Sequence, residues 1–351
     1  MNKGIIINMI TNEIETAAKL SGETIDALKP TEKEGVTRYF GRGKLLLSGE
    51  YFVLDGAKAL ALPTVYGQAL TVTYKKSFSP KIIWESKDNK GQTWLKTSFE
   101  FWHFDCLEDN KELPEVIVLQ RLLKKARELN SHFLREENLE VHVETQLDFP
   151  IEWGLGSSST LIYNIAQWAY VSPFELAAGT FGGSGYDIAC AQTEGPLLYK
   201  KSKDGPYWKI VNFDPSFKEN LYFIHLGKKQ KTKDSINLYR SRGPHNRETI
   251  TEISEISEKM CNAASLAEFE GLIGRHERIV SHRLDIPPVQ LLYFSDWDGK
   301  VKSLGAWGGD FVMATSHKTK EETIKYFQDK GFPVVKTYDE LINQNQHLLK
   351  A

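Results

Sequence analysis

The run Trp153-Gly154-Leu155-Gly156-Ser157-Ser158-Ser159-Thr160 constrains this chain more than any other segment, because it joins two stretches of different periodicity. Upstream, Leu139, Val141, Val143, Thr145 and Leu147 alternate with Glu140, His142, Glu144 and Gln146, which predicts a half-buried strand. Downstream, Leu161, Ile162, Ile165, Ala166 and Ala169 fall on one helical face. A strand that feeds a helix through two glycines and three serines forms a cradle for an anion. Glycine lets the backbone approach closely, and the first N–H groups of the helix point at the bound charge. The serines can cap that helix or offer a hydroxyl to magnesium. No lysine follows Gly156, so the loop does not match the Walker A pattern and another phosphate-binding arrangement is needed. Taken alone, the same loop also reads as an ordinary Gly/Ser turn capping a helix.

The rest of the sequence narrows the class of protein. With 351 residues, the chain is long enough for two domains with substantial cores. An apolar fraction of 41% and a charged fraction of 26% are those of a globular protein. A net charge of −2 gives no global basic field to recruit nucleic acid or an anionic membrane. Cys106, Cys190 and Cys261 lie far apart in sequence, which suits a reducing cytoplasm. No apolar run approaches the roughly 18 residues that span a bilayer, and Ile5 to Ile10 is too short for a signal-peptide core. The expectation is a cytoplasmic monomer or homodimer acting on a small molecule, with neither nucleic acid nor membrane as partner.

Residues 1–37 read as an N-terminal extension, with a short helix around Glu13 to Leu20 and Met9 as an alternative initiator. Strands are expected at Lys44 to Leu47, Ala69 to Tyr74 and Lys81 to Trp84, and a helix at Pro114 to Leu129. A second half begins near Pro215, with a strand at Leu221 to His225 and helices at Glu248 to Cys261 and Leu266 to His282. A strand at Phe311 to Thr315, a helix at Lys320 to Gln328 and a strand at Val334 to Tyr338 follow. Mixed rather than strictly alternating elements favour an α+β fold. The nine histidines show no metal-ligand spacing, and Asp296-Trp297-Asp298-Gly299 lacks the remaining ligands of a calcium loop and reads as a turn.

Three further segments carry chemistry. Gly43-Lys44-Leu45-Leu46-Leu47-Ser48-Gly49-Glu50-Tyr51 places a lysine at the start of a strand and an acid after a glycine turn. Phe181-Gly182-Gly183-Ser184-Gly185-Tyr186-Asp187 aims an aspartate from a flexible turn. Ser303-Leu304-Gly305-Ala306-Trp307-Gly308-Gly309-Asp310 is a second glycine loop that leads into a strand. Singly, each has a plain reading: an aspartate satisfying its own turn, a solvated strand-end lysine, a turn.

In this order, together with the Gly154 to Ser159 loop, these segments resemble the three signature motifs of the GHMP kinases, the family of galactokinase, homoserine kinase, mevalonate kinase and phosphomevalonate kinase. The resemblance runs from about Tyr39 to the C-terminal end. The first segment looks most like mevalonate and phosphomevalonate kinases, and the Gly-Tyr-Asp-Ile-Ala run at 185–189 looks like a bacterial subgroup linked with isoprenoid synthesis. It implies a two-domain fold. Residues 38–214 would form an N-terminal nucleotide-binding domain like ribosomal protein S5 domain 2, and residues 215–351 a C-terminal ferredoxin-like domain, with the active site between them.

The resemblance also implies residue roles. ATP phosphates would lie on Gly154, Leu155, Gly156, Ser157, Ser158 and Ser159, and on Gly305, Gly308 and Gly309. Ser158 and Glu175 would hold Mg²⁺, Glu175 standing one residue out of the family register. Asp187 would accept the alcohol proton while Lys44 stabilises the transferred phosphoryl group; alternatively, Lys44 activates the alcohol and Asp187 orients it. Glu50, Gly185, Tyr186, Thr232 and Lys233 would face the acceptor, with mevalonate ahead of phosphomevalonate. The lysines at 228, 229, 231 and 233 read either as a solvated loop or as an anion clamp. Trp307 and Asp310 depart from the family pattern of small residues, and Asp310 brings negative charge towards a phosphate site. An ATP-dependent diphosphomevalonate decarboxylase and a non-catalytic nucleotide-binding relative are the readings from other classes.

Overall fold

The computed structural model describes residues 31–33, 35–135, 138–180, 183–228, 232–243 and 246–342. The expected helix at Glu13 to Leu20 lies outside the described residues. Among those described, the strands form two sheets, one of eight strands and one of four.

The larger sheet contains β1 (Thr31–Lys33), β2 (Val36–Leu46), β3 (Ala59–Lys76), β4 (Lys81–Lys87), β5 (Thr93–Glu100) and β6 (Leu139–Leu147). The hairpin of β7 (Leu197–Ser202) and β8 (Gly205–Ile210) completes it. Its order is β1-β2-β3-β6-β4-β5, with β7 joined to β3, and β4–β6 is its parallel pair. β2 and β3 run well beyond the segments that apolar pattern marked, because Gly41, Gly43, Pro63 and Gly67 interrupt that pattern while the strands pair on both sides of a register shift between Arg42 and Lys44. A Cβ at Gly67 would collide with the Gly41 carbonyl and the Phe40 ring, so glycine is what lets the two strands meet there.

The helices on this sheet are α1 (Pro114–Leu129), α2 (Ser157–Ala169), α3 (Pro173–Ala178) and α4 (Tyr186–Ala191). In α1, proline occupies the first turn, and Val116, Leu119, Leu122, Leu123 and Ala126 supply a buried stripe at helical spacing. That stripe meets Trp84, Val141 and Val143 from the sheet. Burying each such side chain stabilises the fold by roughly 1.5–3 kcal/mol.

The smaller sheet, ordered β10-β11-β9-β12, is antiparallel throughout. Its strands are β9 (Leu221–His225), β10 (Val301–Ser303), β11 (Phe311–Thr315) and β12 (Val335–Thr337). Around it lie α5 (Thr232–Ser241), α6 (Arg247–Cys261), α7 (Leu266–Leu284), α8 (Val289–Tyr293), α9 (Lys320–Asp329) and α10 (Tyr338–Leu341). α5 begins at Thr232, takes in Lys233 of the lysine-rich segment and buries Tyr239, while Lys229 and Lys231 lie outside the described residues.

One apolar core crosses from one sheet to the other. Leu45, Leu60, Leu62, Phe149 and Leu155 pack with Phe223, Met260, Phe269, Phe311 and Met313. Beyond α10, Ile342 bridges back to Thr64 of β3. The two sheets therefore share one packed core. Among the described residues, no helix is long and apolar enough to cross a membrane.

Candidate active site

The phosphate-cradle segment forms as its residues dictate. Gly154 and Gly156 adopt φ of 64° and 94°, in the left-handed region where glycine carries little penalty. α2 starts directly after Gly156 and has no side-chain cap. Its first internal bond runs from Thr160 N to the Gly156 carbonyl, 3.1 Å. The N–H groups of Ser157, Ser158 and Ser159 thus precede the helical ladder, at the positive end of the dipole. Ser158 is exposed and Ser157 half-buried. Two expectations need correction at the level of side chains. The Ser159 hydroxyl is buried and donates to the Gly156 carbonyl at 2.8 Å, and the Leu155 side chain is sealed in the core. Those two residues can meet a ligand only through their backbone.

Lys44 comes to this loop from β2. The β2–β3 register shifts between Arg42 and Lys44, a bulge that re-aims the strand end. Lys44 N–H then donates to the Leu155 carbonyl and Nζ to the Gly154 carbonyl, each at 2.8 Å. Asp187 arrives from the other side, in the first turn of α4 after Gly185 at φ 90°. Its Oδ1 accepts from Ile188 N–H at 3.0 Å. Burial pushes the Asp187 carboxyl above the usual carboxylate range, opposed by the charge of Lys44 and the Ile188 N–H. The two residues selected as a catalytic pair from sequence are thus electrostatic neighbours.

Tyr186 precedes Asp187. Burial, followed by the charges of Asp187, Cys190, Glu50 and Asp310, holds its hydroxyl well above the ordinary tyrosine range. Tyr186 is therefore a neutral donor sitting among the carboxylates of three motifs. Gly185 lies under the Tyr199 hydroxyl, which donates to the Ser184 carbonyl.

The second glycine loop closes the arrangement. Gly305 and Gly308 take φ of 68° and 88°, and an added Cβ at either would meet open space. Gly309 is buried, its N–H directed at the Ala306 carbonyl. Asp310, at φ 50°, lays its carboxylate against Gly154, where a methyl group would overlap it. Motif three therefore touches motif two through the residue that departs from the family pattern. Trp307 turns inward: it is 3% exposed, and its N–H donates to the Tyr51 hydroxyl at 2.9 Å.

Glu50, expected at the acceptor, is the principal correction. It is completely buried and bonded to Lys302 Nζ at 2.6 Å, with His276 Nε2 at 3.1 Å from its second oxygen. Lys302 also reaches Glu277 Oε1 at 3.4 Å and the Ser303 carbonyl at 2.8 Å. Burial would raise the Glu50 carboxyl, yet Lys302 and His276 outweigh burial and hold it below its ordinary value. His276 Nε2 also accepts from Gly49 N–H at 3.0 Å. Glu50 thus ties β10 and α7 to the turn after β2: its Oε1 accepts from Lys302, while its Oε2 is buried next to His276 without a hydrogen-bond donor among the described residues. Lys302, His276 and Glu277 went unnoticed in the sequence, because nothing local marks a lysine whose partner is 252 residues away.

Thr232 and Lys233 open α5, and their side chains lie outside the described residues, as do Lys229 and Lys231. Glu175 is exposed in the first turn of α3, a helix that packs against α2; its N–H is capped by Ser172 Oγ. Asp296 and Asp298 pair with Lys330 and Lys318, as suits a turn. Glu100, His103 and Asp105 gather at an exposed turn, where backbone N–H groups of residues 102, 103 and 105 occupy Glu100.

This architecture is the GHMP kinase fold, α+β with two sheets. Among solved structures, Methanococcus jannaschii mevalonate kinase matches with a TM-score of 0.64 at 16% identity, covering 90% of this chain and 100% of that one. Streptococcus pneumoniae phosphomevalonate kinase, in complex with phosphomevalonate and AMPPNP, matches with a TM-score of 0.60 at 17% identity, covering 86% and 99%. Lactococcus lactis galactokinase complexed with galactose matches with a TM-score of 0.62 at 13% identity, covering 94% and 97%. No protein-family model matches the sequence, and no curated protein matches it.

Proposed function

We propose that this chain is an ATP- and Mg²⁺-dependent kinase that transfers the γ-phosphoryl group to the hydroxyl of a small-molecule alcohol. The observation that carries the reading is the uncapped N-terminus of α2 beside Lys44 and the half-buried Asp187. Phosphoryl transfer needs the phosphates held, charge neutralised and the hydroxyl proton accepted. The free N–H groups of Ser157 to Ser159 and the two glycine loops supply the first. Lys44 contributes to the second, assisted by magnesium, which Ser158 and Glu175 would hold. Asp187 supplies the third, and burial makes it a stronger base than an ordinary carboxylate.

The domain division at 38–214 and 215–351, with the reaction in the cleft between, belongs to the same reading. So does action in the cytoplasm as a monomer or homodimer. By motif resemblance mevalonate leads as acceptor and phosphomevalonate follows. The solved kinases that share the fold act on chemically different acceptors, from mevalonate to galactose, so the fold supports the reaction type more than the substrate.

The test is ADP release from purified protein with Mg-ATP and mevalonate, phosphomevalonate or diphosphomevalonate, with carbon dioxide followed for the last. Turnover on an alcohol that falls about 10²–10⁴-fold in Asp187→Asn supports the kinase and the role of Asp187. Carbon dioxide release would move the chain to the decarboxylases. ATP binding with no turnover on any alcohol would make it a nucleotide-binding relative.

A further inference from the structure

The turn that presents Asp187, Gly183-Ser184-Gly185, is fastened by two side chains of one strand. Tyr199 and Lys201 stand two residues apart on β7 and so project from the same face. The Tyr199 hydroxyl donates to the Ser184 carbonyl, and Lys201 Nζ donates to the Gly183 carbonyl at 2.9 Å. Gly185 completes the contact: a Cβ there would come within 2.8 Å of the Tyr199 oxygen and 3.4 Å of the Phe174 ring. Trp208 of β8 packs on Phe174 in turn, 5.2 Å between ring centres. Tyr199 is 1% exposed and shares a cluster with Ala189 and Cys190 of α4, the helix whose first turn carries Asp187. Its own strand is anchored, because Leu197 to Tyr199 pair with Ala59 to Ala61 of β3. Burial, followed by the charge of Asp187, holds the Tyr199 hydroxyl above its ordinary range, so it is a neutral donor in the electrostatic reach of that carboxylate.

We propose that Tyr199 is a positioning residue for phosphoryl transfer: its hydroxyl, with Lys201, clamps the turn onto β7 and thereby holds the Asp187 carboxylate where it meets the acceptor hydroxyl. The inference rests on the kinase reading. Gly183 and Gly185 take φ of 116° and 90°, and two such permissive residues around one serine do not define a single path for the chain. Side-chain bonds to two successive carbonyls remove that freedom. A general base works only within about 2.6–3.2 Å of the proton it takes, and a displacement of about 1 Å costs on the order of 10²-fold in rate. The nucleotide would rest on the start of α2 instead, so the clamp acts on turnover rather than on ATP binding. Lys201 is the lesser contributor, since its bond is exposed to solvent.

The experiment uses the full chain with Mg-ATP and either mevalonate or phosphomevalonate. Tyr199→Phe keeps the ring and removes only the hydroxyl; it is expected to lower kcat about tenfold or more, with the KM for ATP moving less than about twofold. Tyr207→Phe, the same change at an exposed tyrosine of the same hairpin, is expected to alter neither. In an Asp187→Asn chain, Tyr199→Phe should lower the residual turnover by less than about twofold, because a residue that acts through Asp187 then has nothing to position. A merely structural loss would carry over in full. An unmoved kcat in Tyr199→Phe, or a fall by the same factor in both backgrounds, overturns the proposal while leaving the kinase standing. Hydrogen exchange reads the clamp without turnover: amides of residues 185–190 should exchange about tenfold faster in Tyr199→Phe, with those of 157–163 unchanged. If the wild type turns over neither acceptor, the exchange decides. Acceleration confined to 185–190 supports the clamp without the kinase, and unchanged exchange removes it.

Discussion

Two groups of charges stand between the sheets, and they are built on opposite plans. Around Glu50, two carboxylates, one lysine and one histidine are sealed from water, with Lys302 bonded to both carboxylates. Around Asp187, one half-buried carboxylate stands near Lys44, the start of α2 has no side-chain cap, and Gly305 and Gly308 border open space. In the first group the partners outweigh burial and the Glu50 carboxyl falls; in the second, burial wins and the Asp187 carboxyl rises. A charge paired with a buried cation joins parts of a fold. A charge left short of partners stores the capacity to bind or to take a proton.

The largest effect should come from breaking the buried ion-paired group. Lys302→Met leaves Glu50 and Glu277 buried without their cation, and is expected to cost about 3–5 kcal/mol in denaturant unfolding. Adding Glu50→Gln should recover a good part of that loss. Lys44→Met, by contrast, should leave stability within about 1 kcal/mol while turnover collapses, since Lys44 bonds mainly to a carbonyl at the loop. Equal stability losses from the two lysines would erase the distinction.

A smaller effect is expected at Gly154, where the two glycine loops touch. Gly154→Ala forces an L-residue into the left-handed region, costing about 1–2 kcal/mol, and drives a methyl group into the Asp310 carboxylate. The KM for ATP should rise about tenfold, and Asp310→Ala in the same chain should restore part of it. Nucleotide affinity unchanged in Gly154→Ala would place the phosphates elsewhere.

The smallest effect sharpens the comparison by pH. Because folding raises the Asp187 carboxyl, its contribution to stability is full below the unfolded value and is lost as pH rises through the folded one. At neutral pH the ionised side chain is therefore a net cost. Asp187→Asn should melt above the wild type at pH 7, with the difference closing as pH falls below the ordinary carboxylate range. An unchanged or lower Tm at pH 7 would mean that Lys44, rather than burial, governs this carboxylate.

Much of this was legible in the sequence. The alternation at Leu139 to Leu147 became β6, and the apolar stripe in Pro114 to Leu129 became α1, since each records which face a single element buries. Less visible were the full lengths of β2 and β3, where glycines needed for close strand approach interrupt the apolar pattern. α5 carries no clear sign in the sequence, because its lysine-rich approach resembles a solvated segment and its packing residue, Tyr239, comes two turns later. Glu50 followed its motif into the acceptor list, although its partners lie in a strand and a helix beyond residue 270.

The sequence by itself determined the strand, glycine turn and helix around Gly154 and Gly156 and the order of the motifs, and it offered Lys44 and Asp187 as candidates. The turn depends on short-range backbone chemistry, since its glycines permit left-handed conformations. Tertiary structure alone decided that Glu50 is locked onto Lys302, that Asp310 lies on Gly154, and that Trp307 bonds to the Tyr51 hydroxyl. Each of these joins residues far apart in the chain, where burial and the partners that packing brings together fix what a charge or a ring can do.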